Sequence, residues 1–366
     1  MENEPIPSDV PRVCQDVCNW TTRLFTREQS RRSDEYETVD GAIYSLLPVT
    51  LFTILTQNMT LAAAKWRKDD MVTMMQQCQK AIQTHQQLCL EWLLSASPCS
   101  PPKVTIVHIN NASKCIDYLH RFVEDDFTYP SKKTTMPLYL ELVDGYQHII
   151  KTGRRILRDR CLSLFEAHLH QRTWKTTTAA DDHDDDGVME YILAIVNDYY
   201  ANVLKDQLEH FYTNKLMFEI LEALIEKYLV RMLTHTWTCT PSIAKQMDRD
   251  IKIMTQFFID MGCPAKRVSN RVRALQLCAD CVSKDVKLLP HITNSMVTLY
   301  DDMDESIFDA LLKRRPSMDK WTRHEIVYAF RNQKKNHTAH ANSEWKRTTL
   351  FTRLAKRLLE RAPTAV

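Results

Sequence analysis

Apolar residues recur every three or four positions from about residue 36 almost to the end of the chain, which is the spacing of one face of an α-helix. The breaks in this pattern are rich in proline, glycine and short polar residues, for example at 97–102 and 129–137. The uninterrupted stretches predict amphipathic helices over 49–64, 69–94, 104–127, 138–172, 188–232, 241–261, 265–282, 284–300 and 305–314.

The longest stretch is 188–232, and as one unbroken helix it would be about 65 Å long at about 1.5 Å per residue. Because its opposite face is polar, such a helix needs neighbours that cover its apolar stripe along the whole length. We therefore predict an all-α fold, an elongated rod of consecutive antiparallel helical bundles. Two loops carry helix-end signals: Thr240-Pro241 offers an N-cap hydroxyl and a first-turn proline, and Gly262 a left-handed stop.

Glycine usage supports this expectation. The 366 residues include only 5 glycines, where average usage near 7% would give roughly 25. They are too widely spaced for the glycine-rich loops that bind phosphates in nucleotide-binding folds, and hairpin turns also depend on glycine. The composition therefore excludes the common nucleotide-binding folds and argues against a β-rich domain.

Charge is distributed unevenly along the chain. The net charge is +2, but residues 331–366 carry nine Lys and Arg against Glu344 and Glu360. The rest of the chain is mildly acidic, so we predict no nucleic-acid binding. We expect a disordered N-terminal segment at 1–36, a helical-bundle domain at 37–330 and a basic amphipathic tail at 331–366.

The cellular compartment is predicted from the N-terminus and the cysteines. Residues 1–12 lack the apolar core of a secretory signal, so the 11 cysteines are expected to be reduced and mostly buried in a cytoplasmic protein. The stretch 41–64 contains no charge, but Pro48, Gln57 and Asn58 interrupt it. A helix with one apolar stripe is therefore favoured over a membrane span.

Motifs for metals and catalysis are weak. Cys278 and Cys281 form a C-x-x-C without a second ligand pair, which favours core thiols over zinc, and Tyr328 stands where a zinc-protease motif needs its second histidine. Residues 182–187 read as the opening of a calcium loop, but its twelfth position is Leu193 rather than glutamate, which favours a solvated insertion. We predict no catalytic residue, metal or cofactor.

The tail has two interpretations. Leu350, Phe351 and Leu354 share one helical face, and the basic residues lie mainly on the other. The helix would either dock on the body or lie at an interface with anionic lipid or a partner's acidic groove. The candidate lipid or partner contacts are Lys346, Arg347, Arg353, Lys356 and Arg357.

Several motifs follow one another at compatible spacing over about residues 40–330. They are Pro48-Val49 before Phe52, Asn110-Asn111 after Ile-Val-His-Ile, Leu164-Phe165 before Trp174, Asp198-Tyr199 before Phe211-Tyr212, Asp248-Arg-Asp250 before Phe257-Phe258, and Leu311-Leu-Lys-Arg-Arg315 before Arg323-His-Glu-Ile326. In this order they resemble the C-terminal helical domain of the exocyst complex component three (Sec-six) family.

The resemblance implies a non-catalytic helical scaffold in the exocyst, the complex that tethers secretory vesicles to the plasma membrane before SNARE-mediated fusion. The expected partners are other exocyst subunits, SNARE proteins and, through the basic tail, anionic lipids, with no small-molecule substrate. The expected location is cytoplasmic, at the periphery of the plasma membrane or of vesicles. The alternative is a stand-alone membrane-associated helical adaptor that uses the tail. A helical hydrolase or metal-dependent enzyme is a third reading, without a motif to support it.

Overall fold

A computed structural model gives the fold of most of the chain. It describes residues 10–31, 36–65, 68–95, 101–126, 132–171, 188–234, 237–316, 318–340 and 350–361.

Helices make up nearly all of the described residues, together with one β-hairpin of strands β1 (Glu37–Val39) and β2 (Ala42–Tyr44). The helices are α1 (Val10–Gln29), α2 (Leu47–Lys65), α3 (Lys68–Ser95), α4 (Pro102–Asp126), α5 (Lys132–Gln171), α6 (Val188–Tyr199), α7 (His210–Thr234), α8 (Pro241–Asp260), α9 (Ala265–Ser283), α10 (Leu289–Leu299), α11 (Glu305–Leu312), α12 (Lys320–His340) and α13 (Leu350–Arg361).

The all-α prediction is confirmed, but the long helix predicted at 188–232 is interrupted. A π-helical turn at Tyr200–Leu204 follows α6, and Asp206 adopts a positive φ of 57° before α7 begins. The backbone leaves the helix here because its polar groups bond elsewhere: the Gln207 carbonyl accepts from the Ile43 amide at 2.9 Å. Hydrophobic periodicity alone does not reveal such a tertiary bond.

The chain divides into two compact units. Unit 1 contains Met1–Arg160 and Tyr199–Thr213, and unit 2 contains Cys161–Asp198 and Asn214–Val366. The boundaries therefore fall inside the 37–330 segment that the sequence suggested as one domain.

In unit 1, α1 and α2 pack on α3, and α2 also packs on α4. Within the segment 1–36 that was expected to be disordered, the described residues Val10–Gln29 form α1, which buries Val17, Thr21, Phe25 and Glu28. These positions recur at helical spacing, so α1 has a buried stripe despite its polar composition.

Two neighbouring asparagines of α4 hold the hairpin of unit 1. Asn110 is fully buried, and its side-chain amide donates to the carbonyls of Ile43 and Gln207 at 2.8 Å each, while its oxygen accepts from the Glu209 amide at 3.2 Å. Asn111 accepts from the Ser45 amide at 3.1 Å. The two asparagines thus provide hydrogen-bond partners for backbone groups at the end of the hairpin and in the loop after the π-helical turn.

In unit 2, α9 packs against α8, α10 and α11, and α12 packs against α10 and α11. The two predicted helix ends near α8 are confirmed: the Thr240 hydroxyl accepts from the Ile243 amide at 3.3 Å, and Gly262 has a φ of +84°. The rings of Phe308 and Phe330 stack at 4.4 Å between α11 and α12.

Candidate interaction surfaces

The C-terminal helix α13 is amphipathic, as predicted, and its apolar face is covered within unit 2. Leu350, Phe351 and Leu354 are buried, and the Phe351 ring meets the edge of Tyr300 at 5.3 Å between centroids. In this arrangement the helix cannot also insert that face into a bilayer. Any contact that α13 makes with an anionic surface uses its polar side.

That polar side carries part of the predicted basic cluster. Arg353 and Lys356 are exposed on α13, and Arg357 lies in the same helix. Arg353 Nε lies 4.0 Å from the carboxylate of Glu226 on α7. Lys346 and Arg347 lie outside the described residues. The structure therefore places three of the five predicted residues, Arg353, Lys356 and Arg357, on one helix.

The start of α13 is capped from a distant position in the chain. One carboxylate oxygen of Asp302 accepts from the amides of Phe351 and Thr352 at 2.8 and 3.1 Å. A carboxylate at a helix N-terminus satisfies free N–H groups and complements the helix dipole. Asp302 therefore helps to fix the helix to the body.

Helix α12 presents an exposed aromatic surface. Trp321 is 84% exposed and Tyr328 is 62% exposed, seven residues apart on the same side of the helix. Tryptophan and tyrosine are enriched among the residues that contribute most to protein–protein binding. The sequence identified Tyr328 only by its position in an incomplete zinc-protease motif. This surface was not predicted, although the seven-residue spacing of Trp321 and Tyr328 is visible in the sequence.

Helix α2 presents an uncharged surface. Val49 and Leu61 are about half exposed, and a cavity of about 430 Å³ lies between α2 and α4 beside Phe52 and Tyr118. By length and composition the window Leu47–Ala64 is also apolar enough to cross a membrane, with 39% of it buried. Core helices of globular proteins meet the same criterion, so the window does not by itself establish a span.

The predicted thiol pair lies in the core. Cys278 and Cys281 are buried in α9, and burial raises the pKa of Cys281 to about 12 and that of Cys278 well above its usual value. A nucleophilic or metal-binding cysteine needs the opposite shift, because the thiolate is the reactive form. Both residues behave as packing groups.

A cluster of buried polar side chains around His85 lies in unit 1. His85 Nδ1 is 3.2 Å from the Tyr146 hydroxyl and its Nε2 is 3.4 Å from the sulfur of Cys89. Burial lowers the pKa of His85 to about 3 and that of His108 to about 4. These imidazoles are therefore neutral near pH 7.

Metal ligands do not converge in the part of the chain that the structure covers, where no three His, Cys, Asp or Glu residues are placed to share an ion. The acidic run at 182–187 lies outside the described residues.

Comparisons with known proteins define the class first. The fold matches the crystal structure of the C-terminal domain of the exocyst subunit Sec6p with a TM-score of 0.79 at 13% identity, covering 93% of this chain and 94% of the other. It matches M-Sec with a TM-score of 0.69 at 15% identity (94% and 57% covered) and the globular tail of Myo4p with 0.61 at 13% (92% and 95%). The fold is thus shared with the C-terminal domain of an exocyst subunit and with a globular tail domain.

The family is identified by comparing the amino-acid sequence with known protein families. The family described as exocyst complex component Sec6 matches residues 11–320, and the chain belongs to this family. No curated protein sequence gives a significant match. Family and fold together point to a non-catalytic helical scaffold among the exocyst subunits.

Proposed function

We propose that this chain is an exocyst subunit that helps to dock secretory vesicles at the plasma membrane before SNARE-mediated fusion. The observation that carries the proposal is the family match over residues 11–320, because it includes most of both units. Its partners would be the other exocyst subunits and SNARE proteins, and its location the cytoplasmic periphery of the plasma membrane or of vesicles.

The proposed work is binding, which suits a helical scaffold. Packed helices present separated side-chain surfaces, and several weak contacts on one chain reinforce each other through effective concentration. The exposed aromatic residues of α12 are of the type that anchors such contacts. No step of this function needs a nucleophile, a metal or a cofactor.

Affinity purification of the tagged full-length chain from its own cells, followed by quantitative mass spectrometry, tests the proposal. We expect other exocyst subunits in near-stoichiometric amounts. Their absence under conditions that preserve the rest of the complex would contradict it.

Surface variants extend this experiment. Trp321→Ser with Tyr328→Ser removes two exposed side chains of α12, and Trp20→Ser, at a residue of α1 that is 52% exposed, serves as the matched control. If α12 contacts a sister subunit, recovery of that subunit falls several-fold with the first variant and is unchanged with the second. Equal recovery with both would place the contact elsewhere.

A second function, a stand-alone membrane-associated adaptor, is supported by the exposed Arg353 and Lys356 of α13. Because the apolar face of this helix is covered, its binding to anionic vesicles would be electrostatic and would fall with salt. Flotation with phosphatidylserine vesicles tests it: Arg353→Gln with Lys356→Gln should lower vesicle binding, and Lys245→Gln with Lys252→Gln on α8 should not. Equal flotation of both variants and the unchanged chain would contradict a role for α13.

A further inference from the structure

Helix α9 of unit 2 carries a dense positive charge on its exposed side. Between Ala265 and Ala279 it contains Lys266, Arg267, Arg271 and Arg273, and the first acidic residue after them is Asp280. Lys266 and Arg267 lie in the first turn, where the helix dipole is already positive and disfavours cations. Helix stability therefore does not explain their position.

These three arginines line one side of a cavity of about 570 Å³, which we call the α9 arginine pocket. Arg267, Arg271 and Arg273 form its basic wall, and Phe218 and Tyr300 contribute aromatic surface. A volume of this size is typical of pockets for small organic ligands. The Tyr300 hydroxyl donates to the Asn270 carbonyl at 3.4 Å, which ties the floor of the pocket to α9.

The positive charge in the pocket is only partly neutralised. Arg271 pairs with Glu222 at 2.8 Å, and its guanidinium also lies over the Phe218 ring at 5.8 Å. Arg267 and Arg273 are exposed, and in the described part of the chain neither has a carboxylate within ion-pair distance. Asp302, two residues after Tyr300, already accepts from two amides of α13.

We infer that the α9 arginine pocket binds a small polyol that carries several phosphoryl groups. Guanidinium groups match phosphate oxygens in paired, charge-assisted hydrogen bonds. Arg267 and Arg273, on the same wall as the paired Arg271, can therefore bind more than one phosphoryl group. The aromatic surface of Phe218 and Tyr300 would contact the carbon ring of such a ligand. The inference goes beyond exocyst membership and does not depend on it.

Two sources share this chemistry, a free inositol phosphate and the headgroup of a phosphoinositide lipid. Calorimetric titration of the full chain with inositol 1,4,5-trisphosphate forms the first arm. Flotation with phosphatidylcholine vesicles, with and without phosphatidylinositol 4,5-bisphosphate, forms the second. Binding in the first arm alone identifies a free phosphate, and binding in both arms identifies a lipid headgroup.

The decisive variant is Arg267→Ser with Arg273→Ser, which removes two exposed charges and leaves the Arg271–Glu222 pair intact. The matched control is Lys245→Ser with Lys252→Ser, which removes the same charge from the exposed side of α8. We expect the first variant to bind at least about tenfold more weakly and the control within about twofold of the unchanged chain.

Three results would overturn the inference. The first is no binding in the titration, and the second is equal weakening of trisphosphate binding by both variants. The third is an aspartate-rich peptide that competes for the site as well as the trisphosphate does. Vesicle binding without any binding of the soluble trisphosphate falls under the first of these, because it would be a surface effect outside the pocket. The experiment needs no other exocyst subunit, so its failure leaves the proposed tethering function untouched.

Discussion

Asn110 shows how much of this fold depends on single buried side chains. Its three hydrogen bonds join positions 67 and 97 residues away along the chain, at Ile43 and Gln207, and also reach the Glu209 amide. The Asn-Asn pair was noticed in the sequence as a family motif. Its structural role was not predictable, because its partners are loop carbonyls whose positions only the folded chain defines.

We expect Asn110→Leu to destabilise unit 1 strongly. The change leaves buried backbone groups without partners, at about 1–3 kcal/mol for each group, so the total loss should exceed about 2 kcal/mol. Urea unfolding measures it. Asn58→Ala is the control, because the Asn58 side chain bonds only the Ile54 carbonyl of its own helix, and its loss should stay within about 0.5 kcal/mol. Equal losses would contradict the assigned role.

The buried imidazoles of unit 1 predict the response to acid. The folded pKa values of His85 and His108, about 3 and about 4, lie below the usual value near 6.5. The unfolded chain therefore binds more protons below pH 6.5, so the contribution of these two histidines to stability is nearly constant above that pH and falls as the pH drops toward 4. Between pH 7 and pH 5 the expected loss is about 2 kcal/mol per histidine.

Denaturant unfolding of His108→Gln at pH 7, 6 and 5 checks this prediction. The variant loses packing against Trp92 at every pH, but its stability should fall about half as steeply as that of the unchanged chain. His120→Gln, at a largely exposed position, should keep the full slope. An unchanged slope in His108→Gln would rule out His108 as a source of acid sensitivity.

At the scale of elements, hydrophobic periodicity predicted eight helices of the bundle within a few residues, because each buries one stripe. Helix α1 was missed because its composition is polar, although Val17, Thr21 and Phe25 recur at helical spacing and are buried. The β-hairpin was missed because glycine is rare. Its turn nevertheless carries a recognisable signal, Asp40-Gly41, with both φ angles positive.

Helix α5 approaches α4 so closely that Gly153 has no room for a side chain. A Cβ there would lie 2.6 Å from Cγ1 of Ile109. In an open helix, Gly→Ala stabilises by about 1 kcal/mol, but here we expect Gly153→Ala to cost about 1–3 kcal/mol. Ile109→Ala alone should cost about 2–5 kcal/mol.

A double-mutant cycle separates the clash from other effects. In the Ile109→Ala background the opposing atoms are gone, so Gly153→Ala should become neutral or stabilising. Urea unfolding of the unchanged chain, the two single variants and the double variant gives the coupling free energy between positions 109 and 153. Additive losses would show that the close approach does not limit this position.

The cap on α13 predicts a local effect. Asp302→Ala should weaken the attachment of this helix by about 0.5–2 kcal/mol, because two amides lose their acceptor. Hydrogen exchange at 350–356 should speed up while exchange in α8 stays unchanged. Asp302→Asn keeps an acceptor oxygen and should have the smaller effect, so equal effects of both changes would argue against capping.

At the scale of the whole molecule, the helical class and the family were both predictable, because each is encoded along many positions at once. The division into two units was not, since its boundaries fall inside predicted helices, after residues 160, 198 and 213. No local break in the apolar pattern marks them. Long-range packing sets such boundaries, and one sequence does not display it.

The elongated rod stays a prediction that solution scattering can test. A compact chain of 366 residues would have a radius of gyration of about 21 Å. We expect a value clearly above this, with a distance distribution skewed to long vectors. A symmetric distribution near 21 Å would contradict the rod.

The uncharged surface of α2 has a practical consequence for mapping the complex. Between Arg32 and Lys65 the chain contains neither lysine nor arginine, so trypsin releases this region as one long peptide. Amine-directed cross-linkers find no side chain to modify on it. A partner bound there would escape the usual cross-linking maps, and carboxylate-directed chemistry would find acceptors only up to Asp40. Photoreactive analogues at Val49 or Leu61, followed by digestion with chymotrypsin, would make that side of the subunit visible.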